Sequence, residues 1–422
     1  MRCERPALSG ADASRVAADI RRLVPPPESV RDGVALIIGT VRAGGDRAVR
    51  DYSRTLDTGG REPQALLVSD DELDAAVARL DDQVRHAIER AIENVGAVAA
   101  ARADGQPRAT QLGENSVTQR YAPVERAAIY VPGGRAPYPS TVVMGAVPAK
   151  LAGVGHISAC SPPREDGDLD PVVLAACRLA GVHAVYRMGG AHAIAALAYG
   201  TESVPAVDVI VGPGNLYVQE AKRQVFGQVG IDGFAGPSDL LMIATGDVDP
   251  EPLALDLLAQ AEHGAGTLVV AASDAPATLD AFEERLTHGA ETGAVACLVA
   301  ASGPEQLLAL AQAFAPEHLQ LVGAEAERLA DRVTRAGCVF VGAGAGTAFG
   351  DYIAGSNHIL PTNGAARFAS GVTPEHFLRR FSEVRIGAPA ELARAAAPLA
   401  RAEGFELHAR SMEARIRENG SR

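Results

Sequence analysis

The sequence predicts an α/β fold with two Rossmann-like, incomplete parallel-sheet domains and small helical segments at the N- and C-termini. Short apolar runs end in glycine- or proline-containing turns and lead into helical patterns, the order of a parallel sheet with helical crossovers. This order appears between residues 127 and 222 and again between residues 240 and 300. A composition with 47% hydrophobic residues, 4% aromatics and no Trp favours aliphatic packing of helices on these sheets.

The first hundred residues are predicted to be mostly helical. An amphipathic stretch opens at Asp70-Asp71-Glu72-Leu73 and ends near Ala103. Strands are then expected at 116–121 and 127–131. In the first α/β unit we predict further strands at 156–160, 184–188 and 207–211, with helices at 142–152, 171–180 and 192–198 and one that ends at Lys222.

The pattern restarts after residue 238. We predict strands at 240–244, 267–272 and 295–300, with a helix from Asp249-Pro250 to Gly264 and another at 275–288. Beyond Gly371 the chain is charged, and helices are expected at 374–381 and 391–415.

Composition excludes several classes of protein. A net charge of −13 argues against a nucleic-acid partner, because a phosphate backbone would be repelled. The five cysteines are dispersed without CxxC spacing, which is typical of reduced thiols in a cytosolic protein. No apolar run approaches the ~20 residues of a membrane span, and the N-terminus lacks the apolar core of a signal peptide. We therefore expect a cytoplasmic protein with no membrane partner.

Four polar clusters interrupt the Ala-, Gly- and Leu-rich C-terminal half, each placing a His near a carboxylate or an amide. Such groups bind metals or move protons, and two histidines, a carboxylate and an amide would suit Zn²⁺. Composition alone does not choose the four ligands. The clusters are Gln260 to His263, Pro316-Glu317-His318, Gly350-Asp351 with Asn357-His358, and Glu403 with His408.

The first two clusters also have plain structural interpretations. Gln260 and His263 stand three apart in a last helical turn, where a His often just interacts with the helix dipole. Glu317 and His318 are expected in a loop after Pro316, either as an acid–base pair or as an exposed Glu and a capping His.

The other two clusters are equally open. Asp351 lies either in a ligand-binding loop or in an ordinary surface turn. Glu403 and His408 stand five apart, about 140° around a continuous helix, so they are either solvated surface residues or separated by a turn at Gly404. The turns after residues 131 and 211 suit a nucleotide, which binds at the carboxyl ends of strands in open α/β sheets, or are plain tight turns.

Taken in order, these motifs resemble those of the histidinol dehydrogenase family over nearly the entire chain. The motifs that carry the resemblance are Tyr130-Val131-Pro132-Gly133-Gly134, Gly189-Gly190-Ala191, residues 195–201, Ile210 to Asn215, Glu220-Ala221-Lys222, Ala235-Gly236-Pro237-Ser238, Gln260 to His263, Ala315 to Leu319, Gly350-Asp351-Tyr352 and Asn357 to Thr362.

The resemblance implies an NAD-dependent, four-electron oxidation of L-histidinol to L-histidine through bound L-histidinal, the last steps of histidine biosynthesis. It implies that His318 accepts the alcohol proton and that Glu317 activates water against the aldehyde. It places one Zn²⁺ per subunit on Gln260, His263, Asp351 and His408. The implied substrate contacts are Ser238, Gln260, His263, His318, Asp351, His358, Glu403 and His408, and the implied NAD contacts are Tyr130, Asn215 and the position of His192.

The resemblance also implies a homodimer with intertwined tails. We expect an N-terminal helical segment at 1–20, a first α/β domain with the metal and catalytic residues at 21–128 and 237–370, and an NAD-binding α/β domain at 129–236. The C-terminal helical tail, 371–422, would complete the partner subunit's site.

Three single positions depart from the family pattern: His192 stands in place of Gln, Asp239 of Glu, and Val209 of Lys. The stretch Arg135-Ala136-Pro137-Tyr138 also differs slightly. One alternative is therefore a paralogue that oxidises another small alcohol, such as a sulfonated diol, with the same metal and NAD. Another is a metal-binding protein without redox activity. The presence of His358 and Glu403 favours histidinol.

Overall fold

The computed structural model of the chain describes residues 1–6, 8, 12–24, 27–101, 105–133, 136–233 and 238–416. Gly134 and residues 235–237, which belong to two of the motifs above, lie outside these ranges, as does the predicted domain boundary at 236–237. The chain forms two compact units, residues 1–103 with 124–377 and residues 104–123 with 378–422. Within the described ranges no helix is long and apolar enough to cross a membrane.

The α-helices of the described chain are α1 (Ala13–Arg21), α2 (Arg31–Tyr52), α3 (Asp70–Arg79), α4 (Asp82–Ala100), α5 (Pro139–Ala152), α6 (Pro171–Ala180), α7 (Gly190–Tyr199), α8 (Leu216–Val225), α9 (Pro250–Ala261), α10 (Pro276–His288), α11 (Pro304–Phe314), α12 (Ala324–Glu327), α13 (Thr347–Tyr352), α14 (Pro389–Ala402) and α15 (Glu406–Glu413). A π-helical turn, Ser53–Asp57, continues α2, and short 3₁₀ turns lie at Pro27–Val30, Ala330–Arg332, Ala365–Arg367 and Pro374–Phe377.

The described strands are β1 (Arg2–Glu4), β2 (Arg108–Leu112), β3 (Asn115–Pro123), β4 (Arg126–Tyr130), β5 (His156–Ser161), β6 (Ala184–Arg187), β7 (Val209–Val211), β8 (Gly230–Ile231), β9 (Asp239–Ala244), β10 (Leu268–Ser273), β11 (Val295–Ala300), β12 (His318–Val322), β13 (Cys338–Val341) and β14 (Leu378–Arg385).

The larger sheet of the first unit is parallel throughout. Its strand order in the described chain is β1-β11-β10-β9-β12-β13. Alternate residues of β9 face opposite sides, as strand geometry requires. Leu240 and Met242 pack under α9 and α10, whereas Leu241 and Ile243 pack under α1 and α11. Both faces of this sheet are thus covered by helices, which confirms the predicted α/β class.

A second parallel sheet follows the order β6-β5-β4-β7-β8 in the described chain. Ala127 and Ile129 of β4 face a core built with α3 to α6. Ala128 and Tyr130 face the opposite core, built with α2, α7 and α8. The helices α2, α3 and α4 therefore pack on this sheet. The domain boundaries given above stay a prediction.

The second unit is a three-stranded antiparallel sheet, β14-β3-β2, with the helices α14 and α15. The helix predicted at 374–381 is wrong, because only a 3₁₀ turn forms there before β14 begins at Leu378. Most residues of β14 are exposed, so the strand lacks the alternation of buried and polar positions that marks a half-buried strand. Arg120 of β3 and Glu383 of β14 form an ion pair across the sheet.

The remaining predicted elements of the two α/β units are confirmed with shifts of a few residues at their ends. The side chain of Asp249 accepts a hydrogen bond from Glu251 N and caps α9, and Pro250 takes the first helical position as expected. Gly404, at φ +82°, separates α14 from α15. All five cysteines are free thiols, which agrees with the reduced state predicted from their spacing.

Candidate active site

Glu317 and His318 lie at the amino end of the larger sheet. His318 is the first residue of β12, and it pairs in register with Leu240 of the neighbouring β9. The prediction of a loop is thus wrong for His318, which begins a strand. Glu317 is 6% exposed and His318 is 3% exposed. The alternative of an exposed acid and a capping His is excluded by this burial.

The Glu317 carboxylate is held by the residues that begin β9. Its Oε2 atom accepts hydrogen bonds from Ser238 Oγ at 2.5 Å and from Asp239 N at 3.0 Å. In return, Glu317 N donates to Asp239 Oδ1 at 2.8 Å. Ser238 Oγ also accepts from Gln260 Nε2 at 2.6 Å. A chain of hydrogen bonds therefore runs from the end of α9 through Ser238 to Glu317.

This environment changes the acidity of Glu317. Burial raises the pKa of the Glu317 carboxyl to about 7, and the negative charge of Asp239 adds to the rise, while His318 and Ser238 oppose it. A carboxyl group with such a pKa exchanges a proton near neutral pH. General bases in enzymes need this property.

His318 is paired with carboxylates on both sides. Its Nε2 atom lies 3.4 Å from Asp351 Oδ1, and its Nδ1 atom lies 3.8 Å from Glu317 Oε2. Burial alone would lower the pKa of His318, but the charges of Glu317 and Asp351 outweigh it and raise that pKa to about 9. The ring of Phe340 packs against the imidazole with centroids 5.9 Å apart. Glu317, His318 and Asp351 thus form one electrostatic cluster.

Asp351 lies in the last turn of α13, not in an ordinary surface turn, and its side chain is 23% exposed. Its backbone carbonyl accepts a hydrogen bond from His358 Nδ1 at 2.8 Å. Removal of the His358 ring from water lowers the pKa of His358, so the neutral form is favoured and Nε2 accepts from Thr141 Oγ1 at 2.9 Å. A substrate contact by His358 Nε2 would therefore replace the Thr141 bond.

Gln260 and His263 mark the end of α9. Gln260 is 2% exposed in the last turn, whereas His263 follows the helix and is exposed. Electrostatic interactions connect His263 with Asp351 and His318. Since Gln260 Nε2 donates to Ser238, Gln260 Oε1 is the amide atom left to act as a ligand. Within the described ranges no three His, Cys, Asp or Glu side chains are arranged to hold a metal ion.

The predicted nucleotide contacts lie at the carboxyl ends of β4 and β7. Tyr130 ends β4, and its hydroxyl accepts a hydrogen bond from Gly190 N at 3.0 Å. Gly212 follows β7 at φ +125°, and a Cβ atom there would lie 2.1 Å from the Tyr130 carbonyl oxygen. Asn215 is exposed and caps α8 by accepting from Tyr217 N and Val218 N. Tyr130, Gly190 and Gly212 thus form one turn region.

His192, in the first turn of α7, is fully buried. Its Nε2 atom lies 3.2 Å from Ser53 Oγ and 3.3 Å from Asp57 Oδ2, both in the π-helical turn. Tyr52 stacks on the ring with centroids 5.8 Å apart. The Nδ1 atom is buried without a hydrogen-bond partner among the described residues. The His192 ring is therefore held by residues of α2 and of the π-helical turn that continues α2.

The structure brings Ser238, Gln260, Glu317, His318 and Asp351 together through direct contacts in the first unit. Glu403 and His408 belong to the second unit, where both are exposed. Glu403 follows the last residue of α14, and His408 lies in α15 with Phe405 against its ring at 5.0 Å.

Two residues of the site are absent from the predictions made from the sequence. These are Asp239 as a partner of Glu317 and Thr141 as a partner of His358. Asp239 carried a detectable signal, since a carboxylate directly before the buried run 240–244 needs a partner. Thr141 carried no such signal in the sequence, because it lies 217 positions from His358, the residue that it contacts.

Known proteins match this chain along most of its length. The family model described as histidinol dehydrogenase matches residues 23–416. A histidinol dehydrogenase from Natronomonas pharaonis is 43% identical over 404 residues, which cover 92% of this chain and 94% of that protein. One from Cereibacter sphaeroides is 44% identical over 399 residues, covering 91% of each chain.

A solved structure agrees with the sequence matches. The crystal structure of histidinol dehydrogenase from Elizabethkingia anophelis aligns with a TM-score of 0.89 at 32% identity, covering 99% of this chain and 98% of the other. Both the sequence and the fold match along nearly their whole length. The chain therefore belongs to the histidinol dehydrogenase family of oxidoreductases.

Proposed function

We propose that this chain oxidises L-histidinol to L-histidine through bound L-histidinal, using two NAD molecules and one water, as the last steps of histidine biosynthesis. The observation that carries the proposal is the buried Glu317–His318 pair, assembled with Ser238, Gln260 and Asp351 in a member of this family. The first step removes a hydride and a proton from the alcohol. The second adds water to the aldehyde and removes a second hydride and two protons, leaving a carboxylate.

The chain's own residues would share the proton transfers. His318 would accept the alcohol proton in its neutral form, whose fraction grows as pH rises towards its raised pKa of about 9, and Asp351 at 3.4 Å would stabilise the imidazolium that forms. Glu317 would then take a proton from the water that attacks the aldehyde. Its pKa of about 7 suits this transfer at neutral pH, and Ser238 holds its Oε2 atom in place.

The chemical types of the proposed donors suit a Zn²⁺ ion, with one donor supplied by the partner subunit. Gln260 Oε1, His263 and Asp351 supply an amide oxygen, an imidazole and a carboxylate, and His408 would add the fourth ligand. Bound there, the ion would hold the substrate's amino group and imidazole and orient the alcohol carbon. His358 and Glu403, with Ser238, would contact the rest of the substrate.

NAD would bind where β4 and β7 end, against Tyr130, Asn215 and the α7 N-terminus that carries His192. The close approach of Gly212 to the Tyr130 carbonyl requires a glycine there and holds the ends of β4 and β7 together, at the carboxyl edge where dinucleotides bind in open α/β sheets. The buried Nδ1 atom of His192 has no partner among the described residues and can pair with the cofactor.

The placement of Glu403 and His408 outside the first unit supports a dimeric arrangement of the site. His408 and Glu403 belong to the second unit, and we propose that this unit completes the site of the partner subunit in a homodimer.

The experiment that tests the substrate is an assay of NADH formation with L-histidinol beside other small alcohols, including a sulfonated diol. We expect kcat/KM to be highest for L-histidinol by at least about 100-fold, since a site built to pair an imidazole and an amine rejects alcohols that lack them. Higher kcat/KM with the diol would replace the proposed substrate, and no turnover with any alcohol would remove the enzymatic assignment.

A further inference from the structure

Arg21, the last residue of α1, reaches the acid–base pair from outside the site. Its side chain is 17% exposed, and its Nη1 atom donates to Asp239 Oδ2 at 3.1 Å. Its Nη2 atom donates to the Phe314 carbonyl at 2.6 Å, and the guanidinium lies 3.9 Å from the centroid of the Phe314 ring. Arg21 thus links the start of β9 to the turn that precedes Glu317.

Asp239 is the point where three segments of the site meet. Its Oδ1 atom accepts from Glu317 N at 2.8 Å, and its Oδ2 atom accepts from Asn363 N at 3.3 Å as well as from Arg21. Asp239 directly follows Ser238, and Asn363 lies on the segment that follows His358. The carboxylate is fully buried, so Arg21 supplies its neutralising charge.

The turn before Glu317 is conformationally unfavourable by itself. Ala315 has φ +48° and ψ +66°, a left-handed conformation that a residue with a Cβ atom rarely adopts. Arg21 Nη2 lies 2.6 Å from the carbonyl oxygen of Phe314 and 3.5 Å from that of Ala315. The guanidinium therefore holds both carbonyls of a turn that would otherwise relax.

We propose that Arg21 is a positioning residue for the reaction, acting through Asp239 and the 314–317 turn to set the Glu317 carboxylate and the start of β12. The effect expected on turnover rests on the proposed function, whereas the effect expected on hydrogen exchange does not. A displacement of about 1 Å at a reacting group costs up to about 100-fold in rate. Loss of Arg21 would therefore affect turnover more than substrate binding.

The test compares R21M with R22M in the full-length protein. Arg22 is the matched control, since it directly follows α1 as its C-cap and its guanidinium forms an exposed ion pair with Asp19 at 2.6 Å. We expect R21M to lower kcat about 10- to 100-fold while KM for L-histidinol stays within about threefold. R21K, which keeps the charge but not the forked donor, should recover part of the loss. R22M should match the wild type.

Hydrogen exchange supplies a readout that does not depend on activity. R21M should speed exchange of the Glu317 amide at least about tenfold while amides of β10 stay protected, and R22M should change neither. The proposal is overturned if R21M leaves that exchange and kcat unchanged. It is also overturned if exchange rises uniformly along the chain, because Arg21 would then only stabilise the fold. A wild-type protein inactive on L-histidinol would contradict the proposed function, while the exchange contrast would still decide the role of Arg21.

Discussion

Asp239 and Glu317 exchange hydrogen bonds in both directions: Glu317 N donates to Asp239 Oδ1 at 2.8 Å, and Asp239 N donates to Glu317 Oε2 at 3.0 Å. The first bond fixes the backbone of Glu317, and the second fixes its carboxylate. Burial of the Glu317 carboxyl and the nearby charge of Asp239 raise the pKa of Glu317, whereas the hydrogen bond from Asp239 N opposes this rise. Asp239 therefore influences both the position of the Glu317 carboxylate and its pKa.

The oxidation of L-histidinal should depend on Glu317 and on pH. A carboxyl with its pKa raised to about 7 is protonated below that pH, so its base form, and with it the rate, should increase as pH rises through about 7. E317Q should lower this rate about 10²- to 10⁴-fold and remove that part of the pH profile. The exposed Glu305, paired with Arg332, provides the control variant E305Q. If the rate of E317Q still rose as pH increases through about 7, the titrating group would be another residue.

The NAD affinity should report on His192. We expect H192Q to bind NAD about two- to tenfold more tightly by calorimetry, because an amide that is free of the contacts with Ser53 and Asp57 can form a better-placed hydrogen bond to the cofactor than the anchored ring does. The variant S53A loses the Ser53 contact but keeps His192, so it shows whether release of the ring alone changes the affinity for NAD. An unchanged affinity in H192Q would mean that position 192 is not a cofactor contact in this chain.

Chelation should abolish activity, and added Zn²⁺ should restore it. H263N should lower bound zinc, measured by elemental analysis, to well below one ion per subunit, because one imidazole ligand is lost. His288, an exposed His at the end of α10, gives the control variant H288N, which should retain the metal. A metal-free protein with full activity would remove the zinc assignment.

Mixed dimers test whether the second unit completes the partner's site. E317Q and H408A each inactivate a site, and co-expression pairs them in a dimer. If the tail crosses, one site of the mixed dimer carries both changes and the other carries none, so about a quarter of all sites are active in a random mixture. If each tail serves its own subunit, every site carries one change and activity stays near zero.

The sequence predicted the two parallel sheets because their strands are buried on both faces and read as continuous apolar runs. It did not predict β14, whose exposed residues, among them Arg379, Arg380 and Glu383, have no buried face to reveal a strand. It also missed β1, a short edge strand that forms by pairing with β11 nearly 300 positions away.

The candidate site was predictable where residues stood next to each other, as Glu317 and His318 do. Arg21 and Asp239 could not be paired from the sequence, since they are 218 positions apart and neither lies in a polar cluster. The fold brings them together by packing α1 on the sheet that contains β9. Local patterns cannot reveal such a long-range contact.

The number of NADH molecules formed per molecule of limiting L-histidinol tests the central claim most directly. A site that retains the aldehyde between two hydride transfers predicts two equivalents of NADH and one of L-histidine, with no free aldehyde. One equivalent of NADH with L-histidinal released into solution would contradict the account.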